Sequence, residues 1–470
     1  MSGCCSQGPG ILVIGSGGAA TAAALKAASR GAKVTVVERG TLGGTCVNVG
    51  CVPSKVMINA AHVVHVRRQS PFDGGISASQ PNVDRKALVN QQQALVENLR
   101  QAKYADVLAR HDNIRVEQAE AQFEDGQHIR LTFPDGRVET RVFDKCFIGT
   151  GARSAIPPIP GLQDSPFITS TEALVLEQIP PRLIVLGASV VAVELAQAFA
   201  RLGSRVTILA RSRVLSRWSK EISQALTDAL KAEGIEVLDE AGVSEVAHDG
   251  RCFHVQTRAG VKTAEQLLVA TGRTPNTEAL NLAAAGIETQ DRAIRVDAHL
   301  RTTHENVFAA GDCTTLPQFV YVAAAAGSRA GENMTGGDAT LDLSVVPEVI
   351  FTDPQAARVG LSDAEAREQG IETDVRTLDL AHVPRAIANF DTRGLIRMVA
   401  ERTTGRLLGV QMLAHNAGDV IQSAALAIRA GMTVQALSGE LFPYLTMAEG
   451  LKLCAQTFSQ DVAALSCCAG

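Results

Sequence analysis

Two cysteines, Cys46 and Cys51, stand five positions apart in the segment GGTCVNVGCVPSK. A helix is expected to begin near Pro53, because proline is favoured in the first turn of a helix. Two thiols at this spacing can close a small disulfide, and the helix dipole stabilises a thiolate at its N-terminus. A structural zinc site would need a second such pair, and none follows at zinc-finger spacing. The pattern therefore favours a redox-active pair.

A second pair, Cys467 and Cys468, stands two residues from the end of the sequence, in LSCCAG. Adjacent cysteines form only a strained disulfide, but they present two soft thiolates that suit a soft metal cation. The last four residues also have the length of a prenylation box, although a final glycine is atypical of it and no polybasic stretch precedes it. A chance pair is the remaining alternative. We expect Cys467 and Cys468 to be metal ligands.

A glycine-rich turn follows the first apolar strand, where Gly15, Gly17 and Ala20 form the pattern GxGxxA. Glycines there let the backbone approach a pyrophosphate at the N-terminus of the next helix. Glu38 ends the following strand and is placed to accept a hydrogen bond from a ribose hydroxyl. The pattern alone is weak, because a tight turn of this kind can bind nothing. The flanking strands and the acid favour a dinucleotide site.

A second copy of this pattern reads RLIVLGASVVAVELAQAFARLGSRVTILAR. Its turn keeps Gly187, and Ser189 replaces the second glycine. Where the first copy has its acid, this copy has Ala210, followed by Arg211 and Arg213. The loss of the acid and the gain of arginines favour a ribose with a 2′-phosphate, and hence NADP(H) over NAD(H). The alternative is that both arginines lie in a solvated loop.

The duplication predicts an α/β fold with two Rossmann-like dinucleotide-binding domains. Strand-like segments at 142–152 and 307–314 are expected to return to the first domain, so that the second domain is an insertion. After about residue 347, short strands followed by Ala-rich helices predict an α+β domain. The expected domains are a first nucleotide-binding domain in two parts, 1–152 and 275–346, an inserted one, 153–274, and a C-terminal one, 347–470.

The composition is that of a folded protein, with 46% hydrophobic and 20% charged residues over 470 positions. With a formal charge of −5, the chain has no excess of positive charge for binding nucleic acid or an anionic membrane. Neither a secretory signal nor a membrane span is apparent. We therefore expect a cytoplasmic protein, whose ten cysteines are catalytic or metal-binding rather than a disulfide scaffold.

The segment GGTCVNVGCVPSK, the two dinucleotide folds, ATGRTPN (270–276) and AAGDCT (309–314) together resemble the FAD-containing pyridine nucleotide-disulfide oxidoreductases. The resemblance covers nearly the whole chain. It implies a glutathione reductase-like architecture, with FAD on the first fold, NAD(P)H on the second, a C-terminal dimerisation domain and a homodimer. It also implies that Cys51 lies against the flavin and that Cys46 is the outer thiol.

The resemblance further implies contacts with the cofactors. Lys55 matches a lysine near flavin N5, where a positive charge favours the anionic reduced flavin. Glu194 matches the acidic partner of that lysine. The alternative is that Lys55 is an ordinary surface lysine. The other matching positions surround the FAD nucleotide, its ribityl chain and ring, or the second nucleotide, and they are Ala20, Glu38, Gly40, Thr45, Ala121, Asp312, Val320 and Gly272.

The sequence departs from the family near its C-terminus. Disulfide reductases of the family carry a His-Pro-Thr-x-x-Glu block, whose histidine exchanges protons with the dithiol of the other subunit. Here the block runs from Tyr444 to Glu449 as YLTMAE, so that the glutamate remains and the histidine is replaced. A phenol with a pKa of about 10 is a poor proton shuttle at neutral pH. His415 lies outside the block, and we expect it at the interface.

Tyr444 together with the terminal cysteine pair resembles the branch of this family that reduces mercuric ions. The resemblance implies NADPH-dependent reduction of Hg(II) to Hg(0), with Hg(II) supplied by a thiol complex or an upstream donor. The partner subunit's tail would receive the metal and pass it to Cys46 and Cys51, and Tyr444 would contact it in transit. The alternatives are a disulfide reductase acting on a small thiol, like glutathione reductase or lipoamide dehydrogenase, and a non-enzymatic thiol protein that sequesters soft metals.

Overall fold

The computed structural model describes residues 10–462, which form two compact units. The first unit contains residues 10–56, 86–155 and 272–341, and the second contains 57–85, 156–271 and 342–462. None of the helices in this part of the chain is long and apolar enough to cross a membrane.

The strands are short and are distributed over both units. In chain order they are β1 (Gly10–Ile14), β2 (Lys33–Glu38), β3 (Ile114–Gln118), β4 (Glu120–Phe123), β5 (His128–Thr132), β6 (Val138–Val142), β7 (Lys145–Ile148), β8 (Ala152–Ser154), β9 (Arg182–Leu186), β10 (Arg205–Leu209), β11 (Glu236–Leu238), β12 (Glu245–His248), β13 (Phe253–Thr257), β14 (Gly260–Ala264), β15 (Gln266–Val269), β16 (Arg273–Pro275), β17 (Thr289–Gln290), β18 (Ala293–Ile294), β19 (Val307–Ala309), β20 (Glu348–Ile350), β21 (Gln355–Gly360), β22 (Thr373–Asp379), β23 (Leu395–Glu401) and β24 (Leu407–Ala414).

The helices range from single turns to an element of 18 residues. In chain order they are α1 (Gly18–Ser29), α2 (Gly44–Val49), α3 (Cys51–Arg68), α4 (Arg85–Arg100), α5 (Asp106–Ala109), α6 (Ser170–Val175), α7 (Val190–Leu202), α8 (Lys220–Ala232), α9 (Val320–Asn333), α10 (Asp363–Glu368), α11 (Pro384–Ala388), α12 (Ala417–Arg429), α13 (Val434–Gly439) and α14 (Glu449–Gln456). A π-helical turn covers Gln101–Ala105, and 3-10 turns cover Glu278–Leu280, Leu282–Ala285 and Leu380–His382.

The first unit is built on a parallel sheet with the strand order β19-β7-β1-β2-β3. The interior strands are almost wholly apolar, as expected where helices or other strands cover both faces, and Ile11, Val13 and Phe147 are buried. β7 lies next to β1, and β19 lies next to β7. The predicted return of both later segments to the first nucleotide-binding fold is therefore confirmed.

Small residues let two helices of the first unit lie close together. Gly327 on α9 faces α1, and a Cβ at Gly327 would stand 2.0 Å from the carbonyl oxygen of Ala19. One turn later, a Cβ at Gly331 would stand 2.5 Å from the carbonyl oxygen of Ala23. Only glycine fits at this distance, so α9 supports α1 just behind the GxGxxA turn.

Three antiparallel strands, β4, β5 and β6, form a separate small sheet in the first unit, which was not predicted from the sequence. A further antiparallel pair joins β8 to β16, at the two points where the chain leaves and re-enters this unit. These strands place residues 152–154 and 273–275 side by side.

The second unit contains a parallel sheet with the order β11-β10-β9-β15. The succession β9, α7, β10 repeats β1, α1, β2, so the duplicated strand–helix–strand pattern is confirmed. An antiparallel sheet, β12-β13-β14, belongs to the same unit.

The C-terminal part of the second unit is an antiparallel sheet with the order β20-β21-β24-β23-β22. Its core is aliphatic and includes Ile396, Met398, Met412, Ile421 and Leu451. The expected α+β arrangement after residue 347 is confirmed, and with it the overall fold class. The individual domain boundaries stay predictions.

Candidate active site

Cys46 and Cys51 lie on two consecutive helices of the first unit. Cys46 belongs to α2, and Cys51 is the first residue of α3, which begins two residues before Pro53. At Gly50, between the helices, a Cβ would stand 2.9 Å from the carbonyl oxygen of Thr45. This sharp turn brings the two sulfur atoms into hydrogen-bond contact, and neither cysteine forms a disulfide.

The two thiols are not equivalent. The pKa of Cys46 is raised far above its usual value, first by its hydrogen bond with the Cys51 sulfur and then by burial and by the charge of Cys51. The Cys51 backbone N–H and the charge of Lys55 lower this pKa only in part. Cys51 stands at the positive end of α3, which favours a thiolate. The helix dipole thus favours negative charge on Cys51, and the surroundings of Cys46 favour its protonated form.

Tyr104 lies near this dithiol, a contact that was not predicted from the sequence. It belongs to the π-helical turn, a rare distortion that is frequent at functional sites. A Cβ at Gly43 would stand 3.4 Å from its ring. Burial raises the pKa of Tyr104, and the charges of Cys46 and Cys51 raise it further, so the phenol stays protonated. No motif marks this position, because the contact depends on how residues 100–105 pack against the cysteine segment.

Lys55 and Glu194 are held by different elements. Lys55 lies one turn after Cys51 on α3 and is half-buried. Glu194 lies on α7 and is only 4% exposed, and its Oε1 accepts a hydrogen bond of 2.9 Å from the backbone N–H of Phe351. The pairing of Lys55 with Glu194 stays a prediction.

The first glycine turn has the geometry of a phosphate-binding site. Gly15 has a φ of +101°, and a Cβ there would stand 2.4 Å from the carbonyl oxygen of Gly149. Gly17 caps α1 without a side-chain hydrogen bond, and the first turn of α1 carries no acidic residue. The backbone N–H groups of the first turn of α1 can therefore bind an anion such as the pyrophosphate of FAD.

Ser16 connects this turn to Glu38 and to the segment before the cysteines. Its hydroxyl donates to Glu38 Oε2 at 2.6 Å and accepts from the Gly43 N–H at 3.0 Å. The other carboxylate oxygen of Glu38 accepts from the Gly40 N–H at 2.8 Å. Glu38 is thus fixed at the end of β2, where a ribose hydroxyl of FAD can reach it. Thr45 is exposed on α2.

Asp312 occupies a desolvated position in the first unit. Burial raises its pKa, and the guanidinium of Arg273, with Nε 3.5 Å from Oδ2, lowers it in part. Arg273 Nε is buried without a hydrogen-bond partner within residues 10–462. These polar groups fit the hydroxyls of a ribityl chain. Nearby in sequence, Val320 begins α9 and is 40% exposed, with its Cγ2 3.3 Å from where a Cβ at Gly18 would lie.

Three other predicted positions carry a small side chain or none. Ala20 is fully buried on α1, and Ala121 is buried on β4 opposite Leu131. Gly272 has a φ of +135°, which only glycine adopts easily, and it directly precedes β16.

The second glycine turn repeats the geometry of the first. Gly187 has a φ of +124°, and a Cβ there would stand 2.2 Å from the carbonyl oxygen of Ala270. Ser189 caps α7 without a side-chain hydrogen bond, and no acidic residue lies in the first turn. The N-terminus of α7 is thus suited to the pyrophosphate of a second nucleotide.

Of the two arginines after β10, Arg211 is exposed and Arg213 is half-buried. Arg213 Nη2 donates to the carbonyl oxygens of Ser216 at 2.9 Å and Trp218 at 2.8 Å. Its Nη1 is buried and has no hydrogen-bond partner among the described residues. The same side chain lines a cavity of about 580 Å³. Asp239 and Glu240 line the same cavity, so the charges around Arg213 are mixed.

The C-terminal block places Tyr444 and Glu449 differently. Tyr444 is 59% exposed, whereas Glu449 is buried and its Oε2 accepts the backbone N–H of Leu445 at 3.3 Å. Cys467 and Cys468 lie outside the described residues. Within residues 10–462, no group of three or more His, Cys, Asp or Glu side chains is arranged to hold a metal ion.

Comparison with known proteins assigns the family. Residues 9–327 match the pyridine nucleotide-disulphide oxidoreductase model, and residues 346–455 match the dimerisation domain of that family. The mercuric reductases of Acidithiobacillus ferrooxidans and Shigella flexneri are both 59% identical to the chain, and the alignments cover 98% of it and 84% and 82% of these relatives. The chain belongs to the mercuric reductase branch of the pyridine nucleotide-disulphide oxidoreductases.

Other members of the family agree in length and fold. The mercuric reductase of Streptomyces lividans is 45% identical, with 98% of each chain covered. The flavoprotein disulfide reductase RclA from Escherichia coli has a TM-score of 0.86 at 30% identity, over 96% of this chain and 100% of its own. LpdA from Mycobacterium tuberculosis has a TM-score of 0.84 at 26% identity, over 96% and 100%.

The unequal thiols of this mercuric reductase family member predict a spectroscopic difference between two variants. Cys46→Ala in the FAD-loaded protein should show a long-wavelength charge-transfer band without any reductant, because Cys51 stays a free thiolate. Cys51→Ala should lack the band. Cys252→Ala, which removes a partly exposed thiol of the second unit, should resemble wild type. A band in Cys51→Ala and none in Cys46→Ala would exchange the two roles.

Proposed function

We propose that the chain reduces Hg(II) to Hg(0) with NADPH and FAD at the Cys46–Cys51 pair, and so serves mercury detoxification. The observation that carries the proposal is the pair itself, in which the Cys46 thiol is hydrogen-bonded to the Cys51 sulfur, in a chain 42–59% identical to mercuric reductases. Soft sulfur is the preferred ligand of a soft cation such as Hg(II).

The inequality of the thiols gives an order of ligand exchange. Cys51, where the dipole of α3 favours a thiolate, would form the first protein–mercury bond as one thiolate leaves a thiol-bound Hg(II). Cys46 forms the second bond as the other thiolate leaves, and its proton passes to a leaving thiolate. Each step forms one mercury–sulfur bond and breaks one. Bound FAD would supply the electron pair from NADPH that converts Hg(II) to Hg(0).

The cofactor contacts are part of the same proposal. The N-terminus of α1, Glu38 and Asp312 would hold FAD, and Lys55 would lie near its ring. The N-terminus of α7 with Arg211 and Arg213 would hold NADPH. The dimerisation domain matched by residues 346–455 supports a homodimer. In that dimer, Tyr444, Cys467 and Cys468 of one subunit would serve the dithiol of the other.

The cytoplasm is the proposed location, because small thiols and NADPH are available there as donor and reductant. The upstream source of Hg(II) would be a thiol complex, in which ligand exchange at the metal can begin directly.

A reductase for a small disulfide is the second candidate, and its support is the same dithiol fold. The replacement of the histidine by Tyr444 counts against it, because the exchange of thiols needs a group that titrates near neutral pH.

The distinguishing experiment compares electron acceptors. NADPH oxidation by the FAD-loaded protein should be rapid with Hg(II) in excess small thiol and near background with oxidised glutathione or lipoamide. Faster oxidation with either disulfide than with Hg(II) would contradict the proposal. A colourless protein that binds no flavin would instead support metal sequestration.

The arginines predict the choice of nucleotide. Arg211→Gln and Arg213→Gln should each lower the ratio of kcat/KM for NADPH to that for NADH by tenfold or more, because a charge-assisted contact contributes about 1.5 to 3 kcal/mol. The ratio is the informative quantity, since Arg213 also holds two loop carbonyls and a loop defect alone would affect both nucleotides. Arg251→Gln, in an exposed turn, is the matched control. Equal losses with both nucleotides would contradict the assignment.

Delivery between subunits is tested with a mixed dimer. One subunit carries Cys46→Ala and Cys51→Ala, and the other carries Cys467→Ala and Cys468→Ala. If the tail serves the partner subunit, one complete site exists, and the mixed dimer should regain activity with thiol-bound Hg(II) while both parent homodimers are nearly inactive. Activity no higher than that of the parents would exclude delivery between subunits. A wild-type rate in the tail-variant homodimer would remove the role of the tail.

A further inference from the structure

A polar cavity of about 380 Å³ lies in the C-terminal part of the second unit. It is lined by Arg385 of α11, by the start of α12 and by the segment 445–448, which directly follows Tyr444. The polar side chains that line it are Arg385, His415, Asn416, Asp419, Ser423 and Thr446. The charged side chains of Arg385 and Asp419 therefore line the same cavity as the segment 445–448, whose neighbour Tyr444 is expected to contact the metal.

The two charged side chains of this cavity have no ionic partner among the described residues, although Asp419 also lies in the first turn of α12, where a negative charge is favoured. Within residues 10–462, neither Arg385 nor Asp419 forms an ion pair or a side-chain hydrogen bond, and they do not pair with each other. Other arginines of the same sheet domain are paired, such as Arg393 with Asp391 at 2.8 Å and Arg397 with Asp363 at 2.8 Å. Opposite charges that face one cavity and leave each other unpaired suit a ligand that carries both charges.

The backbone on two sides of the cavity is held in an uncommon conformation. Asn416 has a φ of +56° and Leu445 a φ of +57°. Leucine rarely adopts this region, so the surroundings must impose it. The Glu449 carboxylate contributes by accepting the Leu445 N–H. These constraints give the cavity a fixed wall next to Tyr444.

We propose that this cavity binds the α-amino acid group of the small thiol that carries Hg(II), with Arg385 taking its carboxylate and Asp419 its ammonium group. The proposal rests on the proposed function and names its substrate class: Hg(II) bis-thiolates of zwitterionic thiols such as cysteine. The cavity holds the amino acid group of the thiol while the sulfur of that thiol is displaced from the metal. No bond other than the mercury–sulfur bonds changes.

The test measures the KM of the FAD-loaded homodimer for Hg(II) presented in excess of four thiols. Cysteine carries both charged groups, N-acetylcysteine only the carboxylate, cysteamine only the ammonium group, and 2-mercaptoethanol neither. Arg385→Gln should raise the KM about tenfold with cysteine and N-acetylcysteine and leave the other two unchanged. Asp419→Asn should raise it with cysteine and cysteamine alone.

The control is Arg367→Gln, which removes a positive charge from a 77% exposed side chain on α10 and should leave all four KM values unchanged. Unchanged KM values in both cavity variants, or equal changes with all four thiols, would overturn the proposal. A different result is that the variant dimers dissociate in sedimentation experiments and lose activity with every thiol. This result would assign the cavity to the contact between subunits and overturn the proposal. If wild type reduces Hg(II) with none of the thiols, the proposed function fails as well, whereas normal reduction by insensitive variants contradicts the cavity alone.

Discussion

The hydrogen bond between the sulfur atoms of Cys46 and Cys51 makes two chemically identical groups unequal. It exists because the chain turns sharply at Gly50, so that one thiol lies on α2 and the other begins α3. The dipole of α3 favours charge on Cys51, and burial favours the proton on Cys46. The proposed order of ligand exchange at the metal depends on this inequality, and the rest of the fold has to keep the two helices in place.

The positions of these helices depend on contacts at both of their ends. On the N-terminal side, the cysteine segment packs against the first nucleotide turn, where a Cβ at Gly44 would stand 2.6 Å from the Cα of Gly17. At the other end of α3, His62 Nδ1 lies 3.1 Å from Asp353 Oδ2, and Arg201 Nη2 lies 2.9 Å from the same atom. Burial alone would raise the pKa of Asp353, but the His62 hydrogen bond and the Arg201 charge lower it below its usual range. The carboxylate is therefore charged, and it anchors the C-terminal half of the helix that begins at Cys51.

The parts of the site that could be predicted from the sequence are those determined by local patterns. The duplicated turns could be predicted because a side chain at Gly15 or Gly187 would collide with the carbonyl oxygen of the residue that follows the neighbouring strand. Glycine is therefore needed at both positions. The cysteine pair was predictable from its spacing. The start of α3 differed by two residues, because a proline is tolerated anywhere in the first turn and does not mark the first residue. Tyr104, Arg273 and the cavity beside Tyr444 depend on contacts between distant segments, for which one sequence contains no local signal.

The central claim is that the dithiol holds Hg(II) while bound FAD passes it the electrons of NADPH, and the most direct test collects the product. Elemental mercury vapour and NADPH consumption are measured together, for the FAD-loaded wild type and for the Cys46→Ala, Cys51→Ala double variant. The account predicts one atom of mercury released for each NADPH oxidised by wild type. It predicts no enzymatic release by the double variant, which should still oxidise NADPH with a dye as acceptor. Mercury release by the double variant at the wild-type rate, or NADPH oxidation by wild type without vapour, would contradict it.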